Sequence, residues 1–133
     1  MATYPNDGIL FRKSDMILAA HADAGFLNES RARSRAGAHI FFSENDPKLR
    51  LNGPILTIAQ IIKTVMASAA EAEMAELFIT EKKMISLRNT LIEMGWPQPQ
   101  THIQTDNSTA VGFTNKKIVN KATKSSDIKL WWI

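Results

Sequence analysis

The sequence predicts an α/β fold in which helices pack on a sheet of mixed strand direction. Two observations lead to this prediction. Three apolar segments separated by turn signals occupy the first half of the chain, and a long amphipathic helix followed by one more short strand comes after them. Strands joined by tight turns pair antiparallel, whereas a strand that follows a crossover helix can lie parallel to an earlier strand.

The composition is that of one globular domain. The 133 residues include 16 Lys and Arg against 13 Asp and Glu, and 44% are hydrophobic. Because the chain has no cysteine, a disulfide scaffold, a thiolate zinc site and cysteine catalysis are excluded. No apolar run reaches the roughly 18 residues of a membrane span, and the first residues lack the apolar core of a signal peptide. We therefore expect an intracellular protein, whose net charge of +3 favours a polyanionic partner.

The first strand follows a polar segment. Residues 1–15 are interrupted by proline and glycine, which is typical of a linker or connection, and the domain is expected to span residues 16–133. Met16–Ala24 is apolar, short and flanked by polar residues and a glycine, which predicts a buried strand. The basic stretch that follows, Asn28–Arg35, is interpreted as a loop.

Two further strands are predicted as a pair. Ala38–Ser43 and Pro54–Lys63 are rich in apolar, β-branched and aromatic residues. Between them come Asn-Asp-Pro and Asn-Gly sequences, which are strong turn signals. Strands connected in this way are expected to pair antiparallel.

A long helix is predicted from Ser68 to Met94. Its first residues, Ser68-Ala-Ala-Glu71, match the capping box, in which side-chain oxygens satisfy the free backbone amides of a helix start. Gly95 supplies a left-handed end and Pro97 prevents continuation. Glu71 is therefore interpreted as a capping residue rather than a metal ligand.

This helix is predicted to have two faces. The apolar residues at helical spacing, expected to pack on the sheet, are Met74, Leu77, Phe78, Met84, Ile85, Leu91 and Ile92. The polar residues expected on the opposite side are Glu76, Thr80, Lys83, Ser86, Asn89 and Glu93.

The chain beyond the helix is predicted to add a strand and two helices. Thr101–Thr105 forms the short fourth strand. A helix capped by Asn107 or Ser108 comes next, and a basic connection, residues 116–124, leads to a last amphipathic helix at the C-terminus.

Three carboxylates are placed where they can meet. Asp23 ends the first predicted strand and Asp106 the fourth, so parallel pairing of these strands would bring both to one sheet edge. Glu73, in the first turns of the helix, is expected to face the sheet, where a carboxylate is costly without a partner. Three converging carboxylates repel one another unless cations neutralise them, and an all-oxygen set suits Mg²⁺ or Mn²⁺. The alternative is that the aspartates are turn formers at strand ends.

Basic and imidazole side chains give weaker signals. Three alternating arginines, Arg31, Arg33 and Arg35, would line one side of a loop and favour phosphate contacts, the alternative being a solvated loop. The other predicted nucleic-acid-binding residues are Asn107, Ser108, Lys116, Lys117 and Lys124. The histidines of the predicted strands, His21, His39 and His102, are interpreted as structural rather than catalytic.

Four short motifs follow one another along the chain. They are Ala-His-Ala-Asp23-Ala, Ala-Glu-Ala-Glu73-Met-Ala-Glu-Leu, Gln-Thr-Asp106-Asn-Ser-Thr-Ala and Thr-Lys-Ser-Ser-Asp127. Together they resemble the D…E…D signature of ribonuclease H, and they are most similar to the ribonuclease H region that ends the polyprotein of copia-type retrotransposons. The resemblance runs from about residue 3 to the C-terminus. It implies a ribonuclease H-like sheet, with the fourth strand beside the first, and assigns the catalytic and metal-binding carboxylates to Asp23, Glu73 and Asp106.

The resemblance also implies a function. Such domains hydrolyse the RNA strand of RNA–DNA hybrids with two Mg²⁺ or Mn²⁺ ions. The implied partners are a hybrid and the reverse transcriptase domain of the same polyprotein, and the implied location is a cytoplasmic virus-like particle or the nucleus. The family's fifth strand and its fourth carboxylate are missing before the chain ends at Ile133, and Asp127 is not their counterpart. We therefore expect a C-terminally truncated domain, the alternative being an inactive remnant that serves as a nucleic-acid-binding or assembly module.

A missing fifth strand would leave an exposed edge. The strand Thr101–Thr105 would present unpaired backbone groups, and the chain ends in the apolar run Leu130-Trp-Trp-Ile133. These two features predict a homodimer, formed by edge pairing or by exchange of the last helix. The alternative is a monomer in which the tail covers the edge.

Overall fold

The computed structural model describes residues 3–45 and 50–106, which form four strands and one helix. The strands are β1 (Ile17–Glu29), β2 (Arg33–Ser43), β3 (Pro54–Ile62) and β4 (His102–Thr105), and the helix α1 (Ala69–Glu93) lies between β3 and β4 in sequence. The sheet order is β3-β2-β1-β4. β1 pairs antiparallel with β2, β2 pairs antiparallel with β3, and β4 runs parallel to β1. This confirms the predicted mixed α/β sheet with a ribonuclease H-like arrangement.

The predicted elements after Asp106 fall outside the described residues. These are the helix capped by Asn107 or Ser108, the basic connection and the last amphipathic helix. The apolar C-terminal run on which the predicted homodimer depends belongs to the same part of the chain.

The core lies between α1 and one face of the sheet. Because side chains alternate along a strand, Leu18 and Ala20 of β1 point to the same face as Ile40 of β2, and all three are fully buried. They pack with Met84 and Leu91 of α1. A second cluster, in which small residues prevail, joins the first half of α1 to the other end of the sheet: Ala36, Ile62, Met66, Ala72 and Ala75. Because these alanines are small, the start of the helix approaches the strands closely.

The start and end of α1 follow the predicted capping signals. Ser68 Oγ accepts a hydrogen bond from the Glu71 amide at 3.2 Å, and the Glu71 carboxylate accepts one from the Ala67 amide at 2.8 Å. At the other end Gly95 adopts a left-handed φ of 92°, and the Trp96 amide donates to the Leu91 carbonyl at 2.9 Å. The capping role predicted for Glu71 is confirmed.

The helix is rotated relative to the predicted orientation. Glu76 and Thr80, predicted to face solvent, are 0% exposed, whereas Ile85 and Ile92, predicted to pack on the sheet, are nearly half exposed. Ile85 and Ile92 lie seven residues apart, on a stripe of the helix surface beside the buried face. Hydropathy alone therefore predicts that this stripe packs on the sheet, although it is partly exposed. The buried polar pair is tolerated because Thr80 donates a hydrogen bond to Glu76.

The stretch Asn28–Arg35 was predicted to be a loop, and this prediction is wrong. β1 continues to Glu29 and β2 begins at Arg33, and of the three turn residues between them Arg31 and Ala32 have φ values of 62° and 52°. Tight hairpin turns need such left-handed residues, and they usually announce themselves by asparagine or glycine. Here arginine and alanine occupy the positions, so the usual sequence signal is absent.

Candidate metal centre

Asp23 and Asp106 are brought together by the parallel pairing of β1 and β4. The last registered pair joins Ala22 to Thr105, so the next residue of each strand, Asp23 and Asp106, lies alongside the other. Asp23 is not at the end of β1, as predicted, because β1 extends to Glu29. Asp23 lies at the level where β4 ends, and Asp23 and Asp106 are both exposed there.

Glu73 reaches the same place from the helix. It lies in the second turn of α1 and is 7% exposed, because the alanines beside it hold the helix close to the sheet. Hydrogen bonds from the Ala24 backbone and from the Thr105 side chain stabilise its charged form. These two contacts lower the pKa of Glu73, in opposition to the effect of its burial.

The three carboxylates form one compact group. One oxygen from each of Asp23, Glu73 and Asp106 lies within 4.8 Å of the others. Burial raises the pKa of Glu73 above its ordinary range, and the negative charges of Asp23 and Asp106 raise it further. The convergence that the sequence predicted is present.

The group fits a divalent cation. The Oε2 atom of Glu73 is buried and has no hydrogen-bond partner among the residues that the structure describes, which is costly for a carboxylate oxygen. A cation beside it would satisfy this oxygen and would cancel the mutual repulsion of the three negative charges. Oxygen ligands of this kind suit hard ions such as Mg²⁺ and Mn²⁺.

An open groove of about 430 Å³ gives access to the two aspartates. It lies on the sheet face opposite α1, and its lining residues are His21, Ala22, Asp23, Gly37, Ala38, His39, Gln104, Thr105 and Asp106. Gly37 is the β2 partner of Asp23 in the antiparallel register. A Cβ atom added there would make only ordinary contacts, 3.5 Å from the Asp23 carbonyl oxygen, so packing does not require glycine. Its lack of a side chain keeps the groove open beside Asp23.

Two histidines form the floor of the groove. His21 and His39 are cross-strand partners, and each packs against the ring of Phe41. His39 Nε2 lies 3.0 Å from the Asn52 carbonyl oxygen, whereas His21 Nε2 is buried without a partner in the described part of the chain. Burial and the neighbouring His39 lower the pKa of His21, which favours a neutral ring. Neither imidazole belongs to the carboxylate group.

Sequence reasoning missed one acidic residue of this region. Glu76, one helical turn after Glu73, is fully buried. Burial raises its pKa to about 8, with smaller contributions from the charges of Glu73 and Asp23, while the hydrogen bond from Thr80 acts in the other direction. The available signal was its position three residues after Glu73, which places both carboxyl groups on one side of the helix.

The predicted arginines lie in the β1–β2 hairpin. Arg35 forms an ion pair with Glu29, with 2.5 Å between Nε and Oε1, and Arg33 Nε donates to the Ser30 carbonyl at 3.2 Å. Arg31 is exposed at the turn. The other predicted nucleic-acid-binding residues, Asn107, Ser108, Lys116, Lys117 and Lys124, fall outside the described residues.

Comparison with known proteins finds one informative relative. The chain is 28% identical over 128 residues to the Retrovirus-related Pol polyprotein from transposon TNT 1-94 of Nicotiana tabacum. The aligned part covers 96% of this chain and 9% of that polyprotein, so the chain spans a small fraction of its relative's length. No protein-family model and no solved structure matches the chain. Within residues 3–45 and 50–106, no helix is both long and apolar enough to span a membrane.

Proposed function

We propose that this chain is a metal-dependent ribonuclease H that cleaves the RNA strand of RNA–DNA hybrids during retrotransposition. The observation that carries the proposal is the convergence of Asp23, Glu73 and Asp106 within 4.8 Å on a ribonuclease H-like sheet. The similarity to a retrotransposon polyprotein supports the biological setting. In that setting the natural partner is the reverse transcriptase domain of the same polyprotein, inside a cytoplasmic particle or in the nucleus.

The carboxylates divide into two kinds. Asp23 and Asp106 are exposed and present their oxygens to the groove, where a phosphodiester can approach. Glu73 is buried and supplies its carboxylate from the helix side of the site, where Ala24 and Thr105 favour its charged form. Two bound divalent ions would activate a water molecule and stabilise the leaving oxygen of the phosphodiester. Because that chemistry forms no covalent enzyme intermediate, the site needs no serine or cysteine nucleophile.

Substrate binding in this proposal is mainly electrostatic. The net charge of +3 attracts a polyanion, and the hairpin arginines Arg31, Arg33 and Arg35 supply exposed or half-buried cations beyond the carboxylates. The groove beside Gly37 leaves space for a nucleic-acid strand to reach Asp23.

A cleavage assay tests the proposal. A hybrid with end-labelled RNA is incubated with the purified chain in Mg²⁺, in Mn²⁺ and in EDTA. We expect cleavage of the RNA strand in the presence of metal, and its loss in Asp23→Asn, Glu73→Gln and Asp106→Asn. The matched control is Glu93→Gln, which removes an exposed carboxylate at the far end of α1. Hybrid binding without cleavage in either ion would instead favour an inactive nucleic-acid-binding or assembly module.

A further inference from the structure

The side chain of Gln98 forms hydrogen bonds with the backbone at the start of β1 rather than with residues near it in the sequence. Gln98 is 9% exposed, its Oε1 accepts a hydrogen bond from the Leu18 amide at 3.0 Å, and its Nε2 donates to the Met16 carbonyl at 2.8 Å. The two backbone groups belong to residues on either side of Ile17. Both ends of one amide side chain therefore bind the backbone around the first residue of β1, with Met16 immediately before the strand and Leu18 within it.

This arrangement reproduces a step of a parallel β-ladder. In a parallel pair, a residue donates its amide to the carbonyl before its partner and accepts from the amide after its partner. Gln98 makes this pair of bonds around Ile17 with its side-chain amide. The first backbone pair of β4 with β1 is Ala19 with His102. The glutamine side chain thus extends the parallel ladder to residues that precede β4 in the sequence.

Arg88 of α1 holds the segment that carries Gln98. Its guanidinium donates to the Gln98 carbonyl at 2.7 Å, to Thr101 Oγ1 at 2.9 Å and to the Pro99 carbonyl. Prolines 97 and 99 have no amide hydrogen to donate to a ladder. The Gln98 side chain supplies hydrogen bonds to the start of β1, and Arg88 holds the segment that carries it.

We infer that Gln98 and Arg88 are positioning residues of the carboxylate centre, because they set the register of β4 and thereby hold Asp106 beside Asp23. β4 has four residues, and its pairing within the described chain is with β1. Of its four residues only Ile103 packs on the core clusters, so contacts outside the strand add to its register specificity. The inference rests on the proposed metal-dependent function, since it concerns the same three carboxylates.

The hydrogen bonds of Gln98 and Arg88, together called the clamp, exclude an alternative register of β4. Gln100 is the same residue type two positions later and is exposed. If its side chain took the place of Gln98, β4 would slide by two residues and Asp106 would lie opposite His21. A two-residue slide is about 6.6 Å, which exceeds the span of the carboxylate group. The three hydrogen bonds of Arg88 to residues 98–101 favour the observed register.

Metal affinity is the first readout of this inference, with Mn²⁺ alone as the probe and calorimetry on the full chain. We expect Gln98→Ala and Arg88→Ala to weaken Mn²⁺ binding about tenfold or more, the usual effect of removing a group that orients a ligand. Arg88→Lys, which keeps the charge but has a single donor nitrogen in place of the planar guanidinium group, should recover part of the loss. Gln100→Ala and Lys83→Ala, which remove exposed side chains of the same kinds, should bind as the wild type does.

A second control separates positioning from general destabilisation. Ile58→Val reduces packing on β3, at the sheet edge away from β4, and should lower the urea midpoint without changing Mn²⁺ affinity. If Gln98→Ala binds Mn²⁺ as tightly as the wild type, the inference is overturned. If circular dichroism shows that an alanine variant is unfolded, the Mn²⁺ affinities of Arg88→Lys and Gln98→Asn are compared with that of the wild type instead.

Hydrogen exchange distinguishes a failure of this inference from a failure of the proposed function. If the wild type binds no Mn²⁺, the proposed metal chemistry is wrong. The exchange rates of the β4 amides still test whether Gln98 and Arg88 hold this strand in register. Faster exchange in β4 of Gln98→Ala, with β2 and β3 unchanged, supports the clamp. Unchanged exchange in β4 overturns it.

Discussion

Thr80 donates a hydrogen bond to the carboxyl group of Glu76, with 2.5 Å between Oγ1 and Oε1, inside the contact between α1 and the sheet. Both side chains are 0% exposed, and the second carboxyl oxygen of Glu76 has no partner among the described residues. A carboxyl group in this position is favoured in its neutral form. The apolar interface therefore contains a titratable group close to the candidate metal centre.

The stability of the metal-free protein should fall as pH rises from about 5 to 8. The pKa of Glu76 is about 8 in the folded state against an ordinary value of 4.5, so between these values the folded chain holds a proton that the unfolded chain has released. Ionisation of Glu76 therefore favours unfolding. Over the whole pKa shift, the free energy of unfolding should fall by on the order of a few kcal/mol. Glu73, whose pKa is also raised, acts in the same direction.

Urea unfolding in EDTA at several pH values measures this effect. Glu76→Gln keeps the shape of the side chain without the titration, and its free energy of unfolding should vary much less over the same range. Glu93→Gln is the exposed control. Wild-type and Glu76→Gln curves that remain parallel would show that Glu76 is not responsible.

Neutralising one aspartate should have opposite effects with and without metal. Asp106→Asn removes repulsion toward Asp23 and Glu73, so in EDTA the variant should be at least as stable as the wild type. With Mn²⁺, the wild type should gain stability from binding and the variant should gain little. Thermal unfolding with and without Mn²⁺ tests this crossover. An equal gain in both proteins would remove Asp106 from the ligand set.

A side chain at Gly37 should block the groove without disturbing the metal centre. Valine suits a strand, and the neighbouring atoms leave space for its Cβ, so Gly37→Val should fold and bind Mn²⁺ normally. Its hybrid cleavage should fall about tenfold or more, because the branched side chain would stand beside Asp23. Ala59→Val is the control, since exposed Ala59 is the β3 partner of Gly37 and does not line the groove. Equal cleavage rates in the two variants would argue against this path for the substrate.

Hybrid binding should depend steeply on salt, and the three hairpin arginines should not contribute equally. Each phosphate contact that is lost lowers the slope of log affinity against log salt by about one. Arg31→Ala should flatten the slope more than Arg35→Ala, because Arg35 is already paired with Glu29. Filter binding from low to high salt measures both variants. If the triple alanine variant keeps the wild-type slope, the arginines serve the hairpin and not the substrate.

The order of the elements and the three carboxylates could be predicted from local signals. Alternation and turn residues mark the strands, Ser68 and Gly95 mark the ends of α1, and short motifs surround Asp23, Glu73 and Asp106. These features depend on neighbours in the sequence, so a pattern reveals them. The hairpin turn at Arg31 escaped prediction because arginine and alanine, rather than asparagine or glycine, occupy its left-handed positions.

The missed features depend on contacts between distant parts of the chain. The rotation of α1 buries Glu76, although a hydropathy pattern places an ionisable residue in solvent. The amide of Gln98 replaces a backbone pair opposite Ile17, and nothing near Gln98 in sequence indicates that partner. Tertiary packing decides both, through burial in one case and hydrogen bonding in the other.

The parallel pairing of β4 with β1 has a consequence for the order of folding. The hairpins of β1, β2 and β3 are local and are expected to form early, whereas β4 must close a loop that contains β2, β3 and α1. A folding intermediate with the hairpins and α1 in place would hold Asp23 and Glu73 but would lack Asp106. We expect metal competence to appear only in the last, slowest step of folding, so that a nascent or partly unfolded chain lacks the complete group of three carboxylates.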